Sequence, residues 1–528
     1  MLRERYLRIY DLHSWSGVVL GLFLFVVSIT GCFALFDHEI KTWEDQNLRL
    51  SVPAEPVPIH DKFVKWVTEG LDGNEPVFVS FSFPDAHEPY YLARYQYRTT
   101  DKELVLEKTQ WNPATGEVLA ARGGGLSEWV LDFHRDLMWP ESLGGRQVGR
   151  ALVGLAGIIM MLSIISGVLS HTKIIREFLT LRFNNTIRLK WTDTHKALGL
   201  WVLPFYTMIS FTGAFLGIIV ILLPLIAALA FKGDTDALVE AVLGAPTEAT
   251  GEYAQMMSVD ELRELRNPRS DLLPDQLTVS NWGDSAAEYR VFYEVDRELG
   301  RFEVVTLNGV TGEQIDYEPI NQLSPANRLS NAMTPLHYGT FGGIWLKVLY
   351  FVLGLSLCVL IVTGLMMWLE RRMHGKEGNK SSLFYSRLGK ATIGSTLGLP
   401  IATASLLYLD KLYLGAEDQR IWWTGVVYFA VWFTTIGLCF IGNTGEYRLV
   451  RRLLFTTGIL FAAIPLLNLS YYMNASWPSL TQPWAAVDLG LFIAGALTFA
   501  LTSFIPTERK QPQRHARGTS LLDLAMSK

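Results

Sequence analysis

Four histidines stand beside long apolar runs, and they come as two pairs. His13 lies in DLHSWSG and His195 in DTHKALG, each with an Asp two residues before it, a Gly four residues after it and an apolar stretch behind. His134 in LDFHRDL and His337 in TPLHYGT each lead into a later apolar stretch. An ionisable side chain at membrane depth is costly without a role, and imidazole's roles there are ligation and proton transfer. Four imidazoles in two symmetric pairs are a donor set for two haem irons, each held by two axial nitrogens.

Helix geometry supports this. His13 and Gly17 share a helix face, and Gly31 follows His13 by eighteen residues, five turns at about 3.6 residues per turn. His195, Gly199 and Gly213 repeat the spacing, and a rise of about 1.5 Å per residue puts the far glycine about 27 Å away, nearly a membrane thickness. A glycine beside a histidine leaves a flat gap for a porphyrin, and the distal glycine leaves a second. The reading is an inner haem b on His13 and His195 and an outer haem b on His134 and His337, both non-covalent, with the two irons' four histidine ligands as the metal-binding residues and no catalytic residue apart from haem. Asp11 and Asp193 are placed to hold the inner rings' N–H groups. Small residues at such spacing also serve plain helix packing, the simpler reading of Gly17 and Gly199 taken alone. His171, whose counterpart is Trp368, breaks the pattern and is an alternative inner ligand. His38, His60, His87, His374 and His515 suit solvated or structural roles.

The elements that carry these residues are apolar. Of 528 residues, 49% are hydrophobic and 18% charged, and mean hydropathy is +0.21, which marks an integral membrane protein. Runs long enough to cross ~30 Å of hydrocarbon lie near 15–36, 148–170, 197–230, 344–368, 392–413, 421–441, 453–471 and 484–505, about eight transmembrane helices. The basic stretches at the N-terminus, 172–190, 370–380, 447–452 and 508–517 all fall on one side, which the positive-inside rule makes cytoplasmic, with both termini. The first run is too long for a removable signal peptide and lacks a small-residue cleavage site.

This divides the chain into a first helix (1–36), an outside α+β segment (37–147), a second helix (148–171), a third (195–230), a second outside segment (231–343), a fourth helix (344–369), a four-helix bundle (392–506) and a tail (507–528). Each outside segment carries a strand, turn, strand pattern around N-x-x-T-G-E, at Asn112–Glu117 and Asn308–Glu313. The aromatic stretch EPYYLARYQY at 88–97 suits a substrate surface or, in alternating order, a half-buried strand. Asp11–Gly31 aligns without gaps on Asp193–Gly213, and Gly157 and Gly167 on Gly354 and Gly364, so residues 1–370 are an internal duplication.

Cys32, Cys358 and Cys439 lie at apolar runs without CxxC or CxxCH spacing, which argues against disulfides, iron–sulfur clusters and covalent haem. A net charge of −5 points to no nucleic-acid partner. No GxGxxG opens a helix after a strand, so electrons come from outside the chain.

The paired DLHSWSG and DTHKALG starts, SITG and SFTG, LDFHRDL, PLHYGTFGG and the two NxxTGE hairpins resemble the PepSY-associated transmembrane family, which includes bacterial inner-membrane ferric-siderophore reductases. The resemblance covers about 370 of 528 residues; the helices beyond 392 depart from it and contain no histidine before His515. It implies two periplasmic PepSY-like α+β domains, a haem-bearing four-helix core and reduction of a ferric siderophore at the periplasmic face, with release of Fe(II). The expected surroundings are membrane lipid and an unidentified donor, a cytoplasmic reductase, flavodoxin or quinol. Two other readings stand beside it: a non-enzymatic membrane protein that binds or regulates a periplasmic peptidase, and a siderophore transporter. For topology, a cysteine placed in the 106–121 hairpin should react with an impermeant thiol reagent once the outer membrane is permeabilised. Labelling only after inner-membrane lysis would invert the orientation.

Overall fold

The computed structural model describes residues 2–505 except 86–87, 100–103, 121–124, 172–173, 175–177, 179–186, 235–236, 238–246, 296–298, 300–301, 374–381, 414, 417–418, 443 and 469–482. His87, His374, His515 and the expected tail at 507–528 lie outside the described residues.

In chain order the first half comprises α1 (Leu2–Ala34), α2 (Asp37–Glu44), α3 (His60–Leu71), β1 (Pro76–Ser82), β2 (Tyr91–Arg98), β3 (Leu104–Trp111), α4 (Leu126–Asp136) and α5 (Gly145–Ser170). The second comprises α6 (Ile187–Trp201), α7 (Leu203–Ala230), α8 (Val259–Arg263), β4 (Gln276–Ser280), β5 (Glu288–Glu294), β6 (Phe302–Asn308), β7 (Gln314–Glu318), α9 (Pro325–Tyr338) and α10 (Gly343–Met373). Then follow α11 (Ser382–Leu412), α12 (Arg420–Leu438), α13 (Glu446–Leu467) and α14 (Pro483–Phe504).

The described residues contain seven helices long and apolar enough to cross a membrane, or eight if one bent pair is a single span. That pair is the expected third helix. It is bent by 69° between Leu189–Trp201 and Leu203–Ile219, with Pro204 in the first turn of α7, where a missing N–H costs nothing. The first half has Leu22 at that place, and α1 runs unbroken.

α1 packs on α5 and α10, α5 on α7, and α6 on α10, which closes a four-membered core. The α5–α7 contact is backbone to backbone: a Cβ on Gly154 would stand 2.8 Å from the Gly217 carbonyl carbon, and one on Gly157 2.8 Å from the Ala214 nitrogen. Small residues permit that approach.

The two α+β segments, 37–147 and 231–343, do not form separate domains. β1 pairs antiparallel with β4, Val79 opposite Val279 and Phe81 opposite Leu277, giving one seven-stranded sheet in the order β3-β2-β1-β4-β5-β6-β7. Phe63, Val67, Phe81, Tyr91, Leu277 and Tyr289 belong to one continuous core beneath it. Separate domains were expected because each segment carries its own hairpin; neither half alone covers its central strand edge, and an uncovered edge pairs. Tyr90, Tyr91 and Tyr95 of the aromatic stretch are buried, so they are core and not substrate surface. Both NxxTGE turns take one conformation: Gly116 and Gly312 have φ of +65° and +71°, and the Asn112 and Asn308 side-chain oxygens accept backbone N–H groups two residues on.

The bundle α11–α14 docks on α2 and α4. Trp43, fully buried, donates its indole N–H to Asp488 at 2.8 Å, and its carbonyl accepts from Lys411 at 3.0 Å, whose ammonium also sits 4.0 Å from the Trp43 ring centre. Arg420 pairs with Asp410 in the same buried patch.

Leu277→Ala should test the shared sheet. Removing a fully buried side chain costs about 2–5 kcal/mol, and in a single composite domain protease sites in both 37–147 and 231–343 should open together. Sensitivity confined to the second segment would mean that the halves fold independently.

Candidate functional site

Each of the four paired histidines rests on a helix that is not its own. The His13 ring on α1 lies against Gly167 of α5, and the His195 ring on α6 against Gly364 of α10. His134 and His337 sit on the short helices α4 and α9, which precede the spans instead of forming their ends, and lie against Gly31 of α1 and Gly213 of α7. A Cβ at these four glycines would stand 2.9, 3.0, 2.8 and 3.1 Å from the respective ring Cε1 atoms. Any other residue there would displace the ring.

Beside each glycine the ring nitrogen Nδ1 finds an acceptor. His13 Nδ1 donates to the Ser163 carbonyl at 2.9 Å, His195 Nδ1 to the Leu360 carbonyl at 2.9 Å and His134 Nδ1 to the Val27 carbonyl at 2.9 Å. These carbonyls lie four residues before Gly167, Gly364 and Gly31. His337 Nδ1 meets Thr212 Oγ1 at 2.9 Å; that hydroxyl spends its own proton on the Met208 carbonyl at 2.9 Å, so its oxygen accepts from the ring. In all four the proton is therefore on Nδ1 and the lone pair on Nε2, which has no hydrogen-bond partner among the described residues. Burial holds His134 and His337 below the usual imidazole value, His337 at about 3 with His134 nearby, so both are neutral at physiological pH and able to ligate.

The rings face each other across the two halves. His13 and His195 have ring centres 6.1 Å apart and planes inclined at 63°; His134 and His337 are 6.2 Å apart, inclined at 25°. A metal–imidazole bond is about 2 Å and a ring nitrogen lies roughly 1.2 Å from its ring centre, so an iron between two imidazoles puts the centres about 6 Å apart. Both pairs meet that spacing, and a donated Nδ1–H is the usual companion of an Nε2 ligand. A cavity of about 310 Å³ opens between His134 and His337, walled by Leu24, Met160, Phe205 and Leu357 among others, with Gly31 and Gly213 at the rings. Its size and apolar lining suit a flat macrocycle.

The expected roles of the neighbours need correction. Asp11 and Asp193 do not hold the inner ring N–H groups, which go to Ser163 and Leu360. Residues two apart on a helix point about 200° apart, so an Asp at that offset cannot reach round to the ring. Asp11 is exposed, and Asp193 is buried with Lys196 at 3.6 Å. Gly31 and Gly213 seat the rings of the other pair. A Cβ on Gly17 would meet nothing within 4 Å and one on Gly199 only Leu360 at 3.7 Å, so both leave space. His171 ends α5 one turn beyond Gly167, and the ring that faces His13 is that of His195.

Gly167 and Gly364, with the four acceptors, are the site residues that sequence reasoning missed. Their signal is a Ser-Gly or Thr-Gly dipeptide, Thr30-Gly31, Ser166-Gly167, Thr212-Gly213 and Thr363-Gly364, one seat in each core helix; Ser16-Gly17 in α1 has the same form and seats no ring. Each hydroxyl bonds back to its own helix, which leaves the adjacent glycine as a polar-flanked notch.

The model of the PepSY-associated TM region matches residues 10–371, which takes in both histidine pairs and all four seats and stops before α11. An uncharacterized protein of Pseudomonas aeruginosa is 27% identical over 384 residues, covering 70% of this chain and 94% of that relative. With well over half of its length matched, the chain is a multi-pass membrane protein that belongs to the PepSY-associated TM region family.

Proposed function

We propose that this protein is a di-haem b oxidoreductase of the bacterial inner membrane that passes electrons from the cytoplasmic side to a ferric siderophore in the periplasm. The observation that carries the reading is the pair of histidine couples 6.1 and 6.2 Å apart, every Nδ1 engaged and every Nε2 open. Haem b supplies one-electron chemistry at iron when bound.

The residues have separable tasks. His13 with His195 would hold the inner group and His134 with His337 the outer one. The N–H bonds to Ser163, Leu360, Val27 and Thr212 fix each ring's rotation, and Gly167, Gly364, Gly31 and Gly213 fix its depth. Leu24, Met160 and Leu357 keep water from the outer cavity. The ferric chelate is the substrate: oxygen donors that grip Fe(III) hold the softer Fe(II) far less well, so reduction releases the metal. The electron donor is a cytoplasmic reductase or a membrane quinol, and the sheet domain and both loops to it face the periplasm under this reading.

Pyridine haemochrome assay of the purified protein should give about two haems per chain with a low-spin, six-coordinate spectrum, as two imidazoles per iron require. A fully folded protein without haem would leave the peptidase-regulating and transport readings.

His13→Ala or His195→Ala should lower the content to about one haem per chain, and so should His134→Ala or His337→Ala, because one lost axial nitrogen leaves an unsaturated iron in an apolar pocket. Gly31→Val should act like His134→Ala and Gly167→Val like His13→Ala, although neither glycine is a ligand. If His171→Ala removes the inner haem while His195→Ala retains it, the inner pairing is wrong.

A further inference from the structure

The outer cavity has a charged edge that its ligand histidines do not explain. Its walls are otherwise apolar or neutral, but Arg135, Arg150 and Tyr338 line it as mutual neighbours, and no Asp or Glu lines it. Arg135 follows His134 on α4 and is engaged by Asp132, with Asp136 at 3.7 Å. Arg150, on α5, makes no hydrogen bond or ion pair with the described residues, and its Nε is buried without an acceptor.

The second half shows what a satisfied cation at this place looks like. The alignment that sets Gly157 on Gly354 sets Arg150 on Lys347. Lys347 donates to Glu39 at 2.8 Å and is neutralised there. Arg150 faces the cavity instead. Asp136 attracts this guanidinium only through space, and a guanidinium at an apolar wall with no acceptor in contact is costly; its planar fork of donors matches a carboxylate in two parallel hydrogen bonds.

Building on the proposed function, we propose that Arg150, with Arg135 and Tyr338 beside it, is a carboxylate-binding edge that takes the propionates of the outer haem and so sets which way round the macrocycle enters. The remaining walls of the cavity offer those carboxylates no cation.

The test uses full-length protein in detergent. Arg150→Leu should retain its inner haem and lose the outer one to an excess of haem-free acceptor protein about tenfold faster or more, the scale of a lost charge-assisted hydrogen bond. Arg150→Lys, with charge but no fork, should fall between the two. A second arm needs no variant: wild-type protein stripped of haem and rebuilt with haem dimethyl ester, which has no free carboxylates, should hold the outer group as weakly as Arg150→Leu holds haem. Wild-type protein that binds no haem sinks the proposed function itself. Two haems in wild type with unchanged outer retention in Arg150→Leu, or equal retention of haem and its dimethyl ester by wild type, overturns this inference alone. So does an Arg150→Leu protein that keeps the outer haem but loses affinity for ferric citrate, which would give the edge to the chelate's carboxylates.

Discussion

The contact on which this structure depends is an imidazole pressed into a glycine notch with its Nδ1–H given to the helix beside it. It occurs four times, and each time it joins two elements: α1 to α5, α6 to α10, α4 to α1 and α9 to α7. The bond removes the tautomeric choice, and the missing Cβ sets how deep the ring lies. Without the glycine the ring would be displaced by its own neighbour; without the acceptor neither the ring's rotation nor its tautomer would be fixed. Bond and glycine together make two rings on separate helices meet at the same separation in both pairs, 6.1 and 6.2 Å.

The sheet-side pair needs more support, since α4 and α9 are short and stand outside the spans. The N-cap of α4 is Gly125, which has no side chain to cap with. Glu44 of α2 does the task, its carboxylate accepting from the Ser127 backbone N–H at 2.6 Å. At the other end Asp132 is clasped by Arg135 and by Arg146 of α5, at 2.5 Å for the latter. α9 caps itself through Ser324, which accepts from Asn327 N–H at 3.2 Å, and Tyr350 of α10 donates to the Leu336 carbonyl at 3.1 Å. Because α2 is also the element that grips α11 and α14 through Trp43, the C-terminal bundle braces the segment that holds His134. This gives α11–α14, which lie outside the family match, a structural part in the site.

What could be read in the residues was what is costly or periodic. Histidines within or beside apolar spans are expensive, so their pairing stood out, and apolar runs and the NxxTGE turns carry local signals. The seats in α5 and α10 were hidden because a Ser-Gly or Thr-Gly pair in an apolar helix looks like packing until the ring that fills it is known. The β1–β4 pairing joins residues near 80 to residues near 278, and no local pattern encodes a partner so distant. The bend at Val202 has a local cause in Pro204, yet a proline in the first turn of a helix looks the same whether the preceding span ends or turns.

The duplication and the proposed cofactor fit each other for a reason of symmetry. The sheet order is the same on either side of the β1–β4 pair up to β7, and each histidine couple takes one ring from each half. A bis-imidazole iron of the kind proposed would take two like nitrogens, and a duplicated chain supplies equivalents without further invention. The edge of the plate is different: its carboxylates lie on one side only, so nothing symmetric can recognise them. Lys347 held by Glu39, against Arg150 left facing the cavity, is a departure from the repeat at the edge of the outer site, where a one-sided ligand needs one. Selection for a symmetric centre would keep the two halves alike at the rings, and selection for the orientation of what they hold would let them diverge at the edge.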